Sequence, residues 1–185
     1  LMIRALIFDF DGTIIDSETP VFETWRQTYA EHGHELPLER YVEIIGTAAH
    51  TFDPHAHLED LIGRKLDRER MTAERQQKHR SVIYANDTLP GVRTWIEEAA
   101  TRQMPLAIAS SSQQWWVDSN LTRLNLRDRF HVLRTREMVA AANPAPDLFL
   151  AALDGLGLEP HEAVVIEDSA HGVAAAKAAG LFTIA

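Results

Sequence analysis

The sequence predicts an α/β protein built on a doubly wound, Rossmann-like parallel sheet, into which an all-helical domain is inserted. Short apolar runs alternate with helical patterns along most of the chain. A strand that is buried on both faces of a parallel sheet is apolar almost throughout, so each run is interpreted as one such strand. The predicted strands are Ile3 to Phe8, Leu106 to Ala109, Phe130 to Leu133, Ala163 to Ile166 and Leu181 to Ala185.

Helical patterns of about the length of a crossover connection separate these runs. Neighbouring parallel strands need such a connection, because the chain must return to the same end of the sheet. Strands that alternate with helices are therefore typical of a doubly wound sheet. The predicted crossover helices are Val92 to Arg102, Gln113 to Leu124 and Pro146 to Leu156.

The segment between residues 16 and 87 departs from this alternation, since it contains helical patterns but no convincing strand. Turn-forming residues between Asn86 and Gly91 mark the return to the α/β pattern. We therefore expect a core domain of residues 1–15 and 88–185 and a helical cap domain of residues 16–87. The predicted cap helices are Val21 to His32, Leu38 to Ile45 and Arg68 to Tyr84.

The end of the sequence suggests that the last part of the core domain is missing. Gly180 ends a helical pattern, and the run Leu181 to Ala185 begins a strand at which the sequence stops. A fold of this kind usually covers such a strand with a closing helix. We therefore expect a further C-terminal segment of strand and helix.

Composition narrows the classes of function. The chain has 185 residues, 45% of them hydrophobic, with a net charge of −9, which argues against a nucleic-acid partner or an anionic membrane surface. It has no cysteine, which excludes disulfides, thiolate zinc sites and cysteine nucleophiles. The first apolar run is too short to span a membrane and lacks the features of a secretory signal. We expect a cytoplasmic, monomeric protein.

Polar side chains follow several predicted strands, where open α/β sheets bind ligands. Asp9 and Asp11 follow the first strand, the serines from Ser110 follow the second, and Glu167 and Asp168 follow the fourth. Four carboxylates at one edge of a sheet repel one another, which requires a cation or perturbed pKa values. Oxygen ligands with room for water and phosphate favour Mg²⁺.

The residues at these strand ends resemble the motifs of the haloacid dehalogenase superfamily. Asp9-Phe10-Asp11-Gly12-Thr13 is similar to its first motif, Ser110 to its second, and Glu167-Asp168-Ser169 with Gly172 to its fourth. Their order and spacing match over essentially the whole chain. The position of the cap, after Asp16-Ser17-Glu18, resembles the branch that holds β-phosphoglucomutases and phosphoglycolate-type phosphatases.

The resemblance implies a Mg²⁺-dependent phosphatase that acts on a small phosphorylated metabolite. Asp9 would attack phosphorus to form an aspartyl-phosphate, and Asp11 would protonate the leaving group and later deprotonate water. Residues i and i+2 of a strand share a face, so both side chains can reach one phosphate. The implied ligands of the metal are Asp9, Asp11 through its carbonyl, and Asp168, with Glu167 close by. The implied phosphate-binding residues are Gly12, Ser110, Ser111 and Asn143.

The third motif departs from the family pattern. Asn143 stands where a lysine normally precedes Pro-x-Pro-Asp, and an amide carries no charge to offset the repulsion between Asp9 and a phosphate dianion. Losing such an electrostatic contribution costs roughly 10²- to 10³-fold in rate, by analogy with oxyanion donors. The protein would then be a slow variant, or take the charge from Arg134 or Arg136, or only bind phosphorylated ligands. We favour reduced but real activity.

Three rival functions remain at this stage. β-Phosphoglucomutases hold a second phosphate with a histidine in the first cap helix and basic residues in a cap loop. This chain has Val21 and the lysine- and arginine-free run Ile45 to Ala49, although Trp25 falls where the mutases have a tryptophan. We therefore rank a phosphatase above a mutase. A dehalogenase would not need Asp11, and a non-catalytic phosphate-binding protein is suggested only by Asn143.

Other conspicuous residues are given structural roles. His50, His55 and His57 lie among acids and prolines and without thiols, which favours a solvated loop over a metal site. For Trp115-Trp116 we expect packing rather than contact with a ligand. The mixed charges from Asp67 to Arg80 predict a solvated helix.

Overall fold

The structure is a computed structural model that describes residues 2–45 and 52–185. These residues divide into two compact units. One comprises the described residues up to Ile15 together with Asp87–Ala185, and the other comprises Asp16–Ile45 together with residues 52–86. The assignment of residues 16–87 to a cap stays a prediction, so the second part is called the helical unit below.

The helices alternate with the strands only in the first unit. In the described residues the helices are α1 (Glu18–Glu31), α2 (Leu38–Tyr41), α3 (Pro54–Ile62), α4 (Arg68–Ala85), α5 (Val92–Thr101), α6 (Gln114–Arg123), α7 (Asp147–Leu156) and α8 (Ala170–Ala178). A single 3₁₀ turn, Val42–Ile44, follows α2, so the predicted helix from Leu38 to Ile45 tightens in its second half. No helix among these residues has the length and apolar character needed to cross a membrane.

A parallel sheet forms the centre of the first unit, which confirms the predicted α/β class. Its order is β3-β2-β1-β4-β5, so successive connections move to one side from β1 and then return across it. The direction of winding therefore reverses at β1, which is where such sheets bind ligands. The strands are β1 (Ala5–Phe8), β2 (Leu106–Ala109), β3 (Val132–Arg134), β4 (Ala163–Ile166) and β5 (Phe182–Ile184).

The register of the central strands brings their carboxyl ends to one level. Phe8, the last residue of β1, pairs with Ile108 of β2 and with Ile166, the last residue of β4. The residues that leave these strands therefore emerge from the same edge of the sheet. Asp9 and Glu167 follow directly, which places acidic groups from two adjacent strands side by side.

Small side chains allow helices to pack closely on the sheet. Ala5, Ala107 and Ala109 are fully buried in the strands, and Ala175 and Ala176 are fully buried in α8. Larger side chains of α7 fill the remaining space and complete the same apolar cluster. These are Leu148, Phe149 and Leu153.

The third strand is displaced from its predicted position by two residues at its start. Phe130 packs edge-on against Phe8, with ring centroids 6.0 Å apart, but its amide donates to Arg127 O in a 3₁₀ turn. Pairing with β2 begins only where Val132 lies opposite Ala107. The apolar run therefore predicts that Phe130 is buried, but the pairing that defines the strand starts two residues later.

The helical unit contains a helix that sequence analysis missed. Asp53 caps α3 by accepting hydrogen bonds from the amides of His55 and Ala56 at 2.9 and 3.2 Å, and Pro54 occupies a first-turn position that needs no amide donor. Gly63 ends the helix in the left-handed region, with φ 68°. Capping signals at both ends were present in the sequence, but the histidines were interpreted as part of a loop.

The interpretation of the histidines as a solvated loop is therefore wrong for two of them. His57 stacks on the buried Tyr29 at 5.8 Å, and its Nδ1 lies 2.9 Å from the tyrosine hydroxyl. The His55 ring contacts Trp25 edge-on at 4.6 Å. Both histidines pack in the apolar core of the unit. His50 lies outside the described residues.

Glu59 is the centre of an ion-pair network that joins α3 to the start of α4. Its side chain is 3% exposed and accepts hydrogen bonds from two nitrogens of Arg68, from Lys65 Nζ and from the amide of Leu66. These bonds keep the pKa of Glu59 well below its usual range, with Arg68 as the largest cause. Arg68, the first residue of the predicted charged helix, is therefore paired with a buried acid although its side chain is 42% exposed.

Replacing Glu59 by glutamine is expected to lower the melting temperature of the protein, because a buried neutral amide loses the charge-assisted hydrogen bonds from Arg68 and Lys65 and leaves the Arg68 guanidinium only the exposed Asp53 as an anionic partner. The control is Glu74→Gln on α4, whose pairing with Arg70 spans 3.8 Å between side chains that are 61% and 71% exposed. Exposed pairs of this kind contribute little to stability. Equal melting temperatures for the two variants would contradict a structural role for the network.

Candidate active site

The chain makes a tight turn directly after β1. Asp9 is 6% exposed, and its amide donates to Ile166 O at 3.0 Å, continuing the pairing with β4. Gly12 adopts φ 81°, a conformation that disfavours residues with a Cβ atom, and its amide donates to Ile15 O at 2.8 Å. The buried side chains of Phe10 and Ile14 anchor the turn, which points both aspartates away from the apolar core.

Three carboxylates from two strand ends form a cluster at this turn. One carboxylate oxygen each of Asp9, Glu167 and Asp168 lies within 4.8 Å of the others. Glu167 Oε1 accepts hydrogen bonds from the amide and the hydroxyl of Ser169, at 3.0 and 2.7 Å. Thr13 Oγ1 donates to Asp168 Oδ1 at 3.1 Å. Neighbouring hydroxyls therefore hold the acids in place.

The cluster raises the pKa values of its acids. Burial is the largest cause for Asp9, whose pKa lies well above the usual value, and the charges of Glu167, Asp11 and Asp168 add to it. Burial, with a smaller contribution from the charge of Asp168, raises the pKa of Glu167 to about 7 against the hydrogen bonds from Ser169. Desolvation also raises the pKa of Asp168, although the residue is exposed overall, because its carboxyl group lies against the turn.

The residues of the cluster fit a hard divalent cation. Glu167 Oε2 is buried and accepts no hydrogen bond from the described part of the chain, so a ligating position is available on a group with raised pKa. All donors in the cluster are carboxylate oxygens, the ligands that Mg²⁺ prefers. A bound cation would offset the mutual repulsion that raises these pKa values.

Two glycines leave the room that the carboxylates occupy. A Cβ atom on Gly12 would lie 2.2 Å from Asp168 Oδ2, and one on Gly172 would lie 2.0 Å from the Glu167 carboxyl group. Gly172 also takes part in the N-terminal cap of α8, because its amide donates to Oγ of the capping residue Ser169 at 3.0 Å. The glycines of the first and fourth motifs therefore have a steric role at the cluster.

The Asp11 side chain has separate partners, outside the three-carboxylate cluster. Its Oδ2 accepts from Ser112 Oγ at 2.5 Å and its Oδ1 from Trp116 Nε1 at 2.9 Å. Trp116, the half-buried indole of the pair, therefore also donates to a predicted site residue in addition to the packing role expected for one of the two indoles. Trp115 is 57% exposed, and its own indole donates to Gln113 Oε1. The available signal was the one-turn spacing of Ser112 and Trp116 after β2.

The serines after β2 form a turn that leads into α6. Ser110 is 1% exposed; its amide donates to Arg134 O at 2.9 Å, and its hydroxyl oxygen accepts from the amide of Ser112 at 3.1 Å. Ser111 is half-buried beside it. The roles of Ser110, Ser111 and Gly12 towards phosphate stay predictions.

Asn143 is 3% exposed and lies in the loop between β3 and α7. Of the two arginines considered as substitutes for the missing lysine, Arg134 is held by backbone oxygens. Its Nε donates to Ala151 O at 3.1 Å and its Nη1 to Leu133 O at 3.0 Å. The guanidinium is thus directed to α7, which disfavours Arg134 as the source of the charge.

Comparison with known proteins gives the family. The sequence profile described as haloacid dehalogenase-like hydrolase matches residues 6–185. The chain belongs to this family. A protein of Bacillus subtilis (strain 168) named "Putative phosphatase YhcW" is 40% identical over 180 residues, which are 97% of this chain and 81% of that protein.

A named phosphatase and a solved structure support the same assignment. The "Phosphorylated carbohydrates phosphatase" of Thermotoga maritima is 31% identical over 180 residues, which are 96% of this chain and 82% of that one. The crystal structure of β-phosphoglucomutase from Clostridium difficile superposes with a TM-score of 0.73 at 25% identity, covering 98% of this chain and 83% of that one. These findings confirm the predicted superfamily, the α/β fold and the class of phosphoric monoester hydrolase.

Asp9→Asn is expected to raise the melting temperature of the metal-free protein, by a difference that grows as the pH rises above the unfolded-state pKa of an aspartate, about 4. A group whose folded-state pKa is raised contributes stability below its unfolded pKa and loses it as the pH rises through the folded value. Thermal melts in the presence of a chelator measure the difference in melting temperature. Other groups that titrate, such as His55, are present in both proteins, so their contributions cancel. Excess Mg²⁺ should reverse the order. A difference in melting temperature that does not change with pH would refute the electrostatic account.

Gly12→Ala is expected to cost more stability than Gly91→Ala, although both residues have positive φ, 81° and 87°. The left-handed conformation alone costs a residue with a Cβ roughly 1–2 kcal/mol. Only at Gly12 does the added atom also meet Asp168, since nothing lies within 4 Å of the equivalent atom on Gly91. Urea unfolding measures both variants. A loss of Mg²⁺ affinity in Gly12→Ala alone would connect the clash to the cluster.

Proposed function

We propose that the protein is a Mg²⁺-dependent phosphatase that hydrolyses a small phosphorylated carbohydrate through an aspartyl-phosphate on Asp9. The observation that carries the proposal is that the two aspartates after β1 have different surroundings. Asp9 lies in the carboxylate cluster, whereas Asp11, two residues later, is held by hydrogen-bond donors outside it. One acid is thus placed to act beside a cation and the other to exchange a proton.

In the first step, a carboxylate oxygen of Asp9 forms a bond to phosphorus while the bond between phosphorus and the sugar oxygen breaks. Asp11 donates its proton to that departing oxygen, so the sugar leaves as an alcohol. In the second step Asp11 takes a proton from water, whose oxygen attacks the phosphorus and returns Asp9 to its carboxylate form. Phosphate is the product.

The cation and the donors around phosphate are assigned by the same reasoning. When bound to Asp9, the Asp11 carbonyl and Asp168, with Glu167 nearby, Mg²⁺ supplies positive charge that offsets the repulsion between carboxylate and phosphate. The hydroxyls of Ser110 and Ser111 and the amide of Asn143 are the proposed donors to phosphate oxygens. The Gly12 amide already donates to Ile15 O, so the contribution of Gly12 is mainly to shape the turn.

The proposed substrate class rests on the relatives. A phosphatase of phosphorylated carbohydrates is 31% identical to this chain over most of both proteins, and a mutase of phosphorylated glucose has the same fold. Both names refer to sugar phosphates. A screen of phosphorylated sugars with Mg²⁺ therefore comes before other phosphorylated metabolites.

Asp9→Asn is expected to abolish Mg²⁺-dependent phosphate release, because an amide cannot attack phosphorus. Asp60→Asn, an exposed change on α3, should keep the wild-type rate. Phosphate release from a panel of sugar phosphates is measured with Mg²⁺ and with chelator. Release that survives in Asp9→Asn, or that ignores the chelator, would contradict the proposal. A phosphoryl group found on Asp9 by mass spectrometry after rapid quenching would support it directly.

Asn143→Lys is expected to raise the turnover number by about tenfold or more, since it would restore the positive charge that the third motif of the family supplies at this position. The control is Gln76→Lys, which adds the same charge to an exposed position of α4. Both variants are assayed on the best substrate of the screen. Unchanged turnover in Asn143→Lys would refute the role assigned to this position.

A phosphosugar mutase is the second candidate, because the β-phosphoglucomutase structure covers nearly the whole chain. The two functions differ in their product. Incubation with a sugar 1-phosphate yields free phosphate from a phosphatase and an isomeric sugar phosphate from a mutase. Isomer formed faster than phosphate would replace the phosphatase assignment.

A further inference from the structure

The carboxyl group of Asp11 is held at both of its oxygens by the segment that follows β2. Trp116 Nε1 donates to Oδ1 at 2.9 Å and Ser112 Oγ to Oδ2 at 2.5 Å. The two donors lie 105 and 101 residues further along the chain. None of the motifs that identified the site includes either of them.

The chemistry of the two donors differs in a way that matters for proton transfer. An indole N–H can only donate, so Trp116 offers Oδ1 a donor whether Asp11 is ionised or protonated. A hydroxyl can donate to an ionised carboxylate or accept from a protonated one. The pair can therefore hold Asp11 in both protonation states.

The backbone that carries the two donors is held by hydrogen bonds of its own. The carbonyl of Trp116 accepts from Ser119 Oγ and Asn120 Nδ2, each at 3.0 Å, and Asn120 is fully buried. The amide of Ser112 donates to Ser110 Oγ at 3.1 Å, and its carbonyl accepts from the amide of Arg136 at 3.2 Å. The backbone positions of the two donors therefore do not depend on their contacts with Asp11.

Asp11 has a physical need for such support. It is half-buried, immediately precedes the positive-φ Gly12, and faces the charges of the acids nearby. Repulsion from these acids would turn an unsupported side chain towards solvent, into another staggered rotamer. A small misplacement of an acid or base relative to the reacting atoms costs orders of magnitude in rate.

We propose that Trp116 and Ser112 are positioning residues for Asp11, which clamp both oxygens of its carboxyl group in the orientation needed for proton transfer. This inference rests on the proposed function, in which Asp11 is the acid and base. It predicts that the clamp matters only in steps where Asp11 moves a proton. It also predicts that binding of Mg²⁺ and of phosphate does not depend on the clamp.

The test compares leaving groups that do and do not need a proton. An alkyl sugar oxygen needs the proton of Asp11, whereas nitrophenolate departs from para-nitrophenyl phosphate without one. Trp116→Phe, which keeps an aromatic ring but removes the N–H, is expected to lower the turnover number for the best sugar phosphate by roughly 10- to 100-fold with KM little changed. With para-nitrophenyl phosphate, a burst of nitrophenolate stoichiometric with the enzyme should keep nearly the wild-type rate, followed by slow turnover, because only the hydrolysis of the aspartyl-phosphate then needs Asp11.

Further variants separate the clamp from general damage to the site. Ser112→Ala should behave like Trp116→Phe, and Ser112→Thr, which keeps the hydroxyl, should retain most of the activity. Trp115→Phe removes an exposed indole whose N–H donates to Gln113, and Ser81→Ala removes an exposed hydroxyl on α4; both should match wild type. Thermal melts of all variants exclude loss of folding as the cause.

Two results would overturn the clamp. One is equal sugar-phosphate turnover in Trp116→Phe and Trp115→Phe. The other is a fall of the nitrophenolate burst rate by the same factor as the sugar-phosphate rate, which indicates a structural role. A wild-type protein that hydrolyses neither substrate with Mg²⁺ would overturn the proposed function and this inference with it. If the wild type is active and one of the two results above is obtained, only the inference fails and the proposed function stands.

Discussion

The crowding of buried carboxylates at the end of β1 is the constraint on which the site depends. Asp9, Glu167 and Asp168 each bring an oxygen within 4.8 Å of the others, and burial together with mutual repulsion raises their pKa values. An apolar substitution would relieve this strain at no cost to packing, so stability alone does not account for the cluster. A divalent cation accounts for it, because the cation turns repulsion between ligands into attraction to a common centre.

The surrounding fold serves to hold these acids close without closing the space between them. The order of the strands places β1 between β2 and β4, so three strand ends converge where the winding reverses. Hydroxyls of Thr13 and Ser169 orient the acids, and Gly12 and Gly172 provide room that any Cβ would fill. The same backbone that caps α8 therefore also shapes the cluster.

Two aspartates separated by one residue acquire different chemistry from this arrangement. The position of Asp9 directly after a buried strand keeps it at 6% exposure among other acids, whereas Asp11 beyond the first bend meets neutral donors from α6 and the turn before it. A carboxylate that a bound cation would keep ionised suits the proposed attack at phosphorus, and an acid held by a hydroxyl and an indole suits the proposed proton exchange. The turn that begins at Phe10, whose carbonyl accepts from the amide of Ile14, separates the two environments.

Sequence alone determined the sheet, its helical insertion and the acids at the strand ends, because these follow from local patterns: apolar runs of strand length, and charged residues directly after them. It also identified Asn143 as a departure, because that observation needs only the motif. It did not determine α3, where capping by Asp53 outweighed a histidine-rich composition, or the role of Trp116. That role arises from a contact between residues 105 positions apart, and only the placement of the start of α6 next to Asp11 decides which of two adjacent indoles reaches it. Only the tertiary structure decided which tryptophan has this role. The two are adjacent residues of the same type, and they differ only in the direction in which the helix points each side chain.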